Sequence, residues 1–413
     1  MSTAPRVTAS AVPSSERLII FLVGAIQFVN IVDFMMVMPL GPDYAKALGI
    51  STAHLGQIAG SYTASAAVAG IVAARFLDRF DRRKALGVAL FGLVTGTAAG
   101  ALARGLGSLV LARAIAGAFG GPATSISLSI IADVVPPARR GRAMGAVMGA
   151  FSVASVLGVP MGLRLSTWAG WRLPFIVVAA MGVVVGVLAL WKMPPMRGHI
   201  HSDHRATVPL SALLGDGTIR LSLAVNALVM LTGFLVIPNI SPHLLQNLGF
   251  PRDRLDLCYM VGGAASFGIM RIAGHGIDRY GAPRVSVVGT ALLIGVLTFG
   301  FIAPGTIGVA GVIMIFVVFM GGMSVRNVSM NSLATRVPSA DQRAGYMSLQ
   351  STAQHLSLAT GAFASSRMLH EAPDGRLVGI STVSTISAVL ALGLPPMLAA
   401  IEKRVRAREA ATS

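Results

Sequence analysis

Only a few ionisable side chains interrupt the apolar stretches of this 413-residue chain, and these are the residues that could do chemistry. Asp33, in QFVNIVDFMMVMP, lies about fifteen residues into the first stretch. Gln27 and Asn30 precede it at helical spacing, so the three share one broad face. A carboxylate in hydrocarbon is costly unless it is paired or trades its charge for a proton. Asp33 is therefore the candidate proton carrier; the alternative is a structural carboxylate neutralised by a buried arginine. Arg113, in LVLARAIAGAFGGP, is the candidate partner, able to discharge Asp33 if their helices approach. His355, in SLQSTAQHLSLATG, could shuttle protons or simply pack helices through a hydrogen bond. Arg326 could meet an anionic group or snorkel to an interface. The candidate substrate cavity is lined by Gln27, Asn30, Phe34, Tyr62, Asn226, Phe234, Arg326, Gln350 and Gln354.

A second set of charges lies between apolar stretches. The segment ARFLDRFDRRK, from Ala74 to Lys84, is echoed about 200 positions later by GHGIDRYGAPR, with Asp78-Arg79 answered by Asp278-Arg279. A carboxylate such as Asp78 can accept hydrogen bonds from the free N–H groups of a helix start. Arg82 or Arg83 can reach Asp133, which ends the fourth stretch in IIADVVPPARRGR. Contacts of this kind form when the cytoplasmic ends are close and would bias one of two states. The candidate cytoplasmic gate is thus Asp78, Arg79, Arg82, Arg83, Asp133, Asp278 and Arg279, against the plainer reading of a topogenic charge cluster.

The elements that must position these residues follow from composition. Hydrophobic residues make up 54% of the chain and charged residues 12%, about half the charge of a soluble protein. Apolar residues fall into twelve blocks, the first at 18–41 and the last at 378–400, each long enough to cross a hydrocarbon core. With the N-terminus in the cytoplasm, basic loop residues divide roughly 22 to 8 in favour of that side, a positive-inside pattern that places both termini there. The net charge of +17 is then an orientation signal, and nucleic acid is not an expected partner. The single cysteine, Cys258, excludes an intrachain disulfide. The expected organisation is a disordered tail at 1–16, a six-helix bundle at 17–192 and a cytoplasmic linker at 193–218. A second six-helix bundle at 219–400 and a basic tail at 401–413 complete it. His199, His201 and His204 in the linker read as solvated residues, and no metal site is expected.

An internal repeat supports two related halves. Gly120-Gly121 and Pro194-Pro195 recur 201 residues later as Gly321-Gly322 and Pro395-Pro396, and Met144 and Gly158 recur 203 residues later as Met347 and Gly361. Parallel halves are one arrangement known for transporters. Across 17–400 the chain resembles the major facilitator superfamily, in the style of its twelve-helix drug:proton antiporter and sugar-efflux-like branch. The loop signature Gly-x-x-x-Asp-Arg-x-Gly-Arg-Arg/Lys is met by Asp78, Arg79, Arg82 and Arg83, with Ala74 and Asp81 in place of the glycines. Arg113 followed by Gly117 resembles the fourth-helix motif. Gly149, Gly158, Pro160 and Gly162 partly match the fifth-helix antiporter signature, where Val159 and Leu163 replace two glycines.

Independently of the resemblance, small residues at Gly149, Gly158 and Gly162 allow close helix packing, and Pro160 should bend the helix. The expected fold is an all-α polytopic membrane protein of twelve transmembrane helices in two pseudo-symmetric bundles. The expected function is secondary active transport by alternating access in the cytoplasmic membrane, as proton-coupled efflux of a small molecule by a monomer. The alternatives are proton symport or facilitated import, or a non-transporting membrane sensor or scaffold. No Gly-x4-Gly-Lys phosphate loop, His-Glu-x-x-His pair or Gly-x-Ser-x-Gly elbow is present, so neither ATP use nor enzymatic chemistry is expected. The proton gradient, with no cofactor, is the expected energy source.

Overall fold

A computed structural model describes residues 14–76, 79–197, 209–305, 307–339 and 341–412. Eleven helices among them are long and apolar enough to span a membrane. In the first half these are α1 (Glu16–Met36), α2 (Thr52–Ala73), α3 (Arg82–Ala101), α4 (Leu106–Val134), α5 (Arg139–Ala169) and α6 (Arg172–Lys192). The second half supplies α7 (Gly217–Asn247), α8 (Arg252–Tyr280), α9 (Ala282–Ile302), α10 (Val309–Ala334) and α12 (Ile380–Ala410). The remaining helix, α11 (Arg343–Met368), is equally long but carries Ser348, Gln350, Ser351, Thr352, Gln354 and His355. It packs between α7 of its own half and α2 of the other, so protein covers much of a surface that lipid would not tolerate. Twelve antiparallel crossings put the start of α1 and the end of α12 on one face, called here the terminal face; the opposite side is the far face.

The sequence repeat is also a packing repeat. A Cβ added at Gly158 of α5 would collide with Val32 of α1, and one at Gly361 of α11 would lie 2.7 Å from the Leu231 carbonyl and 3.1 Å from the Leu235 nitrogen of α7. Val32 and Leu235 are separated by the same 203 residues as the two glycines. Fifth-helix glycines therefore let each half close onto its own first helix. Gly149, expected at a helix contact, meets only carbonyls of its own helix, and Gly162 stands at an ordinary 3.6 Å from Met36.

Pro160 bends α5 in a specific way. Its missing N–H strands the Val156 carbonyl, and the chain responds with a π turn over Ala154–Gly158, in which the Val159 N–H reaches back to Ala154. The same turn is where α8 comes closest: a Cβ at Gly263 would stand 2.9 Å from the Ser155 carbonyl oxygen. The α5–α8 and α2–α11 pairs are the main seams between halves.

On the terminal face each half is tied by its own charges. Asp216 caps α7 by accepting from Thr218 N at 2.7 Å, and pairs with Arg408 at 2.8 Å. The basic end of the chain therefore continues as helix to Thr412. Asp81, which stands where the loop signature has glycine, caps α3 by accepting from Arg83 N at 2.9 Å. It also accepts from Met196 N at 3.2 Å and from Arg197 Nε at 3.3 Å, stapling the residues after α6 to the start of α3. Burial pushes this carboxyl up, but donors from Met196, Arg83, Lys84 and Arg197 outweigh it and hold it below the usual carboxylate value. Because the folded value lies below the unfolded one, the stabilisation is complete above about pH 4 and is lost as pH falls through the folded value. Asp81→Ala is expected to cost about 1 kcal/mol at pH 7. In thermal melts of the detergent-solubilised protein, its deficit against the wild type should shrink steadily below about pH 4.

Candidate functional site

Four helices of the first half converge on one buried ion pair. Asp33 stands three residues before the end of α1, and Arg113 lies in the first third of α4, so the pair sits towards the far face. Arg113 Nη1 donates to Asp33 Oδ1 at 2.9 Å, with the side chains 1% and 0% exposed. Thr97 of α3 donates to the same oxygen at 2.7 Å. Asp33 Oδ2 is buried and has no described hydrogen-bond partner. The Arg113 guanidinium also lies over the Tyr62 ring of α2, 4.7 Å from its centroid.

Asn30 organises the surroundings of this pair. Its Oδ1 accepts from Tyr62 OH at 2.8 Å, and its Nδ2 donates to the Gly120 carbonyl and Thr124 Oγ1, each at 2.9 Å. A Cβ at Gly120 would stand 2.9 Å from Asn30 Oδ1, so glycine is what lets the amide approach α4. Gln27 is buried beneath, with Oε1 unpartnered. From Tyr62 the contacts run outward: its ring lies 5.1 Å from that of Phe34, which stacks on Phe234 of α7 at 6.0 Å. Arg113, Tyr62, Phe34 and Phe234 thus form a continuous line from the ion pair to the other half.

The second-half residues named from sequence are placed differently. Arg326 is fully buried, and Nη2 donates to Thr232 Oγ1 at 3.0 Å. Asn226 is buried with neither side-chain atom partnered. Gln350 and Gln354 are half-buried on α11. His355 Nδ1 donates to the Ser351 carbonyl of its own helix at 2.9 Å, and no described contact joins it to Asp33 or Arg113.

The two faces of the protein differ in how the halves meet. On the far face Arg252, at the start of α8, grips Asp43 with both ends of its guanidinium, Nε donating to Oδ1 at 2.7 Å. Ser166 of α5 donates to the same carboxylate at 2.8 Å. Glu371 lies in β1 (His370–Glu371), which pairs with β2 (Leu377–Val378) between α11 and α12. It accepts from Ser51 Oγ and Thr52 N, each at 3.0 Å, across the seam. Arg164 and Asp256 pair across the α5–α8 seam at 3.6 Å. Beneath these, a Cβ at Gly56 of α2 would collide with the Ala362 carbonyl of α11.

On the terminal face, every described ion pair joins residues of one half. Arg82 reaches Asp133 at 3.1 Å, the contact expected of the gate, but both belong to the first half. Arg83 donates to the Met193 carbonyl at 2.9 Å. Arg279 lies over the Tyr280 ring at 5.2 Å, Asp278 has no described polar partner, and Arg79 is exposed. Asp78 lies outside the described residues. Among the described residues, side-chain contacts join the halves at the far face, and no described ion pair does so at the terminal face.

Asp43, Ser51, Thr52, Arg252 and Glu371 make the far-face contacts, and sequence reading did not single them out. Charges of both signs in the far-face loops were the available signal, yet only the basic ones bear on orientation.

Comparison with known proteins agrees with this architecture. The sequence model of the Major Facilitator Superfamily matches residues 23–362. The chain is 26% identical over 264 residues to a chloramphenicol resistance protein of Streptomyces lividans, covering 64% of this chain and 67% of that protein. It is also 26% identical over 301 residues to the purine ribonucleoside efflux pump NepI of Escherichia coli O6:K15:H31, covering 67% and 74%. A bacterial homologue of the human lysosomal transporter Spinster, solved in an inward-facing and unoccupied conformation, superposes with a TM-score of 0.72 at 16% identity, covering 95% of this chain and 98% of that one. A D-xylose–proton symporter gives 0.70 at 19% identity over 92% and 96%. These two are likenesses of fold.

Removing the far-face contacts should release that face. With spin labels at Lys46→Cys and Arg376→Cys in a Cys258→Ala background, electron–electron resonance reads the distance across it. The Asp43→Asn, Glu371→Gln double variant is expected to raise the long-distance population roughly 5- to 30-fold, the equivalent of about 1–2 kcal/mol. An unchanged distance distribution would show that these contacts hold nothing shut.

Proposed function

The chain belongs to the major facilitator superfamily and is a membrane transporter, not an enzyme, and from that premise we propose that it exports a small molecule in exchange for protons. The terminal face is cytoplasmic, as the basic residues of its loops indicate, so the conformation described above faces inward. Export is supported by the likeness to relatives such as the resistance protein and the efflux pump.

The buried Asp33–Arg113 pair carries this reading. Breaking a buried pair by neutralising one partner costs about 3–5 kcal/mol, because the other charge is left uncompensated. The unloaded protein is therefore held in the inward-facing state for as long as Asp33 keeps its charge and Arg113. Two events free it. A proton on Asp33 releases Arg113 directly, and a substrate that displaces the Tyr62 ring from Arg113 loosens the pair. A carrier that moves only when one or the other is bound exchanges protons for substrate and leaks neither. The contacts of Arg113 with Tyr62, and of Phe34 with Phe234, supply the physical route from the pair to the seam between halves.

Proteoliposomes with an imposed pH gradient test the proposal, using a panel that includes neutral compounds (chloramphenicol, inosine) and an anionic one (salicylate). The gradient should drive accumulation of at least one compound, and Asp33→Asn should reduce that driven component by about tenfold or more while leaving exchange down a concentration gradient. Flux that ignores both the gradient and Asp33→Asn would replace antiport with facilitated movement.

A further inference from the structure

The two halves repeat each other in backbone but not in charge. Arg113 has Asp33; Arg326, about two-thirds of the way along α10, has no carboxylate within ion-pair distance among the described residues. Its side chain is 0% exposed. Nη2 donates to Thr232 Oγ1 at 3.0 Å, Nη1 lies 3.7 Å from the Met323 sulfur, and Nε has no partner. A guanidinium does not give up its proton to escape such a site. The second bundle therefore buries one uncompensated positive charge, which hydrocarbon penalises heavily.

The surroundings are shaped around this arginine. A Cβ at Gly289 of α9 would stand 2.8 Å from Val325 Cγ1 and 3.1 Å from Arg326 Cγ, so glycine there lets α9 close on this stretch of α10. Thr232 is two residues from Phe234, whose ring closes on Phe34 of the other half, and a Cβ at the intervening Gly233 would stand 2.6 Å from Met323 Cε. The guanidinium thus bonds to α7 within one turn of the residue whose ring meets the other half. Met323 covers it with a thioether, a weak acceptor on a flexible side chain that a stronger acceptor can displace. Asn226, Thr290 and Ser384 of the same half are also buried with unpartnered polar atoms.

We propose that Arg326 is the anion-recognition residue of the transport site, and that the cargo is an organic monoanion whose carboxylate binds side-on to Nε and Nη2. Those two nitrogens present parallel N–H groups that match the two oxygens of a carboxylate. One negative charge completes the site; a dianion would leave an excess charge of the opposite sign in the same low-dielectric place. The proposal rests on the transport reading above and narrows its substrate class.

The test uses the full-length protein in detergent, with salicylate and benzoate as probes, benzamide as the neutral counterpart of benzoate, and sodium chloride at equal concentration. Salicylate or benzoate should raise the thermal midpoint by roughly 3 °C or more at saturation, and benzamide and chloride should not. Arg326→Lys should weaken the carboxylate effect about tenfold and Arg326→Met about 100-fold. Arg326→Met should also melt no lower than the wild type when no anion is present, because it removes an uncompensated charge. Equal stabilisation by benzamide, or by chloride alone, overturns the proposal, and this readout on the wild type stands even if a variant fails to fold. Gradient-driven transport of chloramphenicol or inosine, with no binding or transport of either acid, would overturn the anionic class and leave proton-coupled export intact. Carboxylate stabilisation that depends on Arg326, with no compound moved by a gradient, would sustain the site and sink the antiport reading.

Discussion

A carboxylate and a guanidinium 2.9 Å apart, both almost wholly removed from solvent, set the terms for the first half of this protein. Desolvating each ion costs several kcal/mol, and the pair is stable only if its surroundings return that cost through well-placed partners. Thr97 donates to the carboxylate, Tyr62 presents its ring to the guanidinium, and Asn30 fixes Tyr62 against α4. These side chains come from four different helices, so the pair dictates how α1 to α4 sit against one another. Gly120 is part of the same constraint, since a side chain there would displace Asn30.

The magnitudes also suggest how such a protein can move. Driving a two-state equilibrium from one side almost fully to the other takes about 5.5 kcal/mol. Partly exposed ion pairs such as Asp43–Arg252 contribute about 0.5–1 kcal/mol each, too little to trap a conformation alone. Loss of the Asp33 charge, worth about 3–5 kcal/mol, tips the balance to the extent that the pair is kept in one state and broken in the other. In the proposed cycle the far-face contacts set the bias, and the buried pair sets the condition for release. Among the described residues the second half has no equivalent pair. Backbone symmetry is kept by Gly158 and Gly361, while charge symmetry is broken at Arg326.

Much of this was legible in the sequence because hydrocarbon is an unforgiving solvent. Apolar blocks of membrane length had to be helices, and the two charges left inside the first half had strong reason to meet. Arg82 and Asp133 were within reach because they flank neighbouring helix ends. Other features were hidden for equally physical reasons. Asp43 and Arg252 are 209 positions apart in ordinary polar loops, and nothing local marks them as partners. Pro160 announced a bend but not that the bend would be a π turn receiving Gly263 of α8. Gly149 looked like a packing residue because spacing records which residues are small, not which face has a neighbour. His355 stood out as a titratable group in a membrane helix, yet its described bond is to its own backbone.

The central claim is that the charge on Asp33 holds the far face shut, and it can be tested without knowing the cargo. The far-face distance distribution, measured by electron–electron resonance on reconstituted protein, should be followed across pH in the wild type and in Asp33→Asn. The account predicts that acid raises the far-face-open population in the wild type, and that Asp33→Asn starts with that population raised and loses most of the pH response. An identical titration in both proteins would place the response in loop carboxylates such as Asp43 and Glu371, and would contradict the claim.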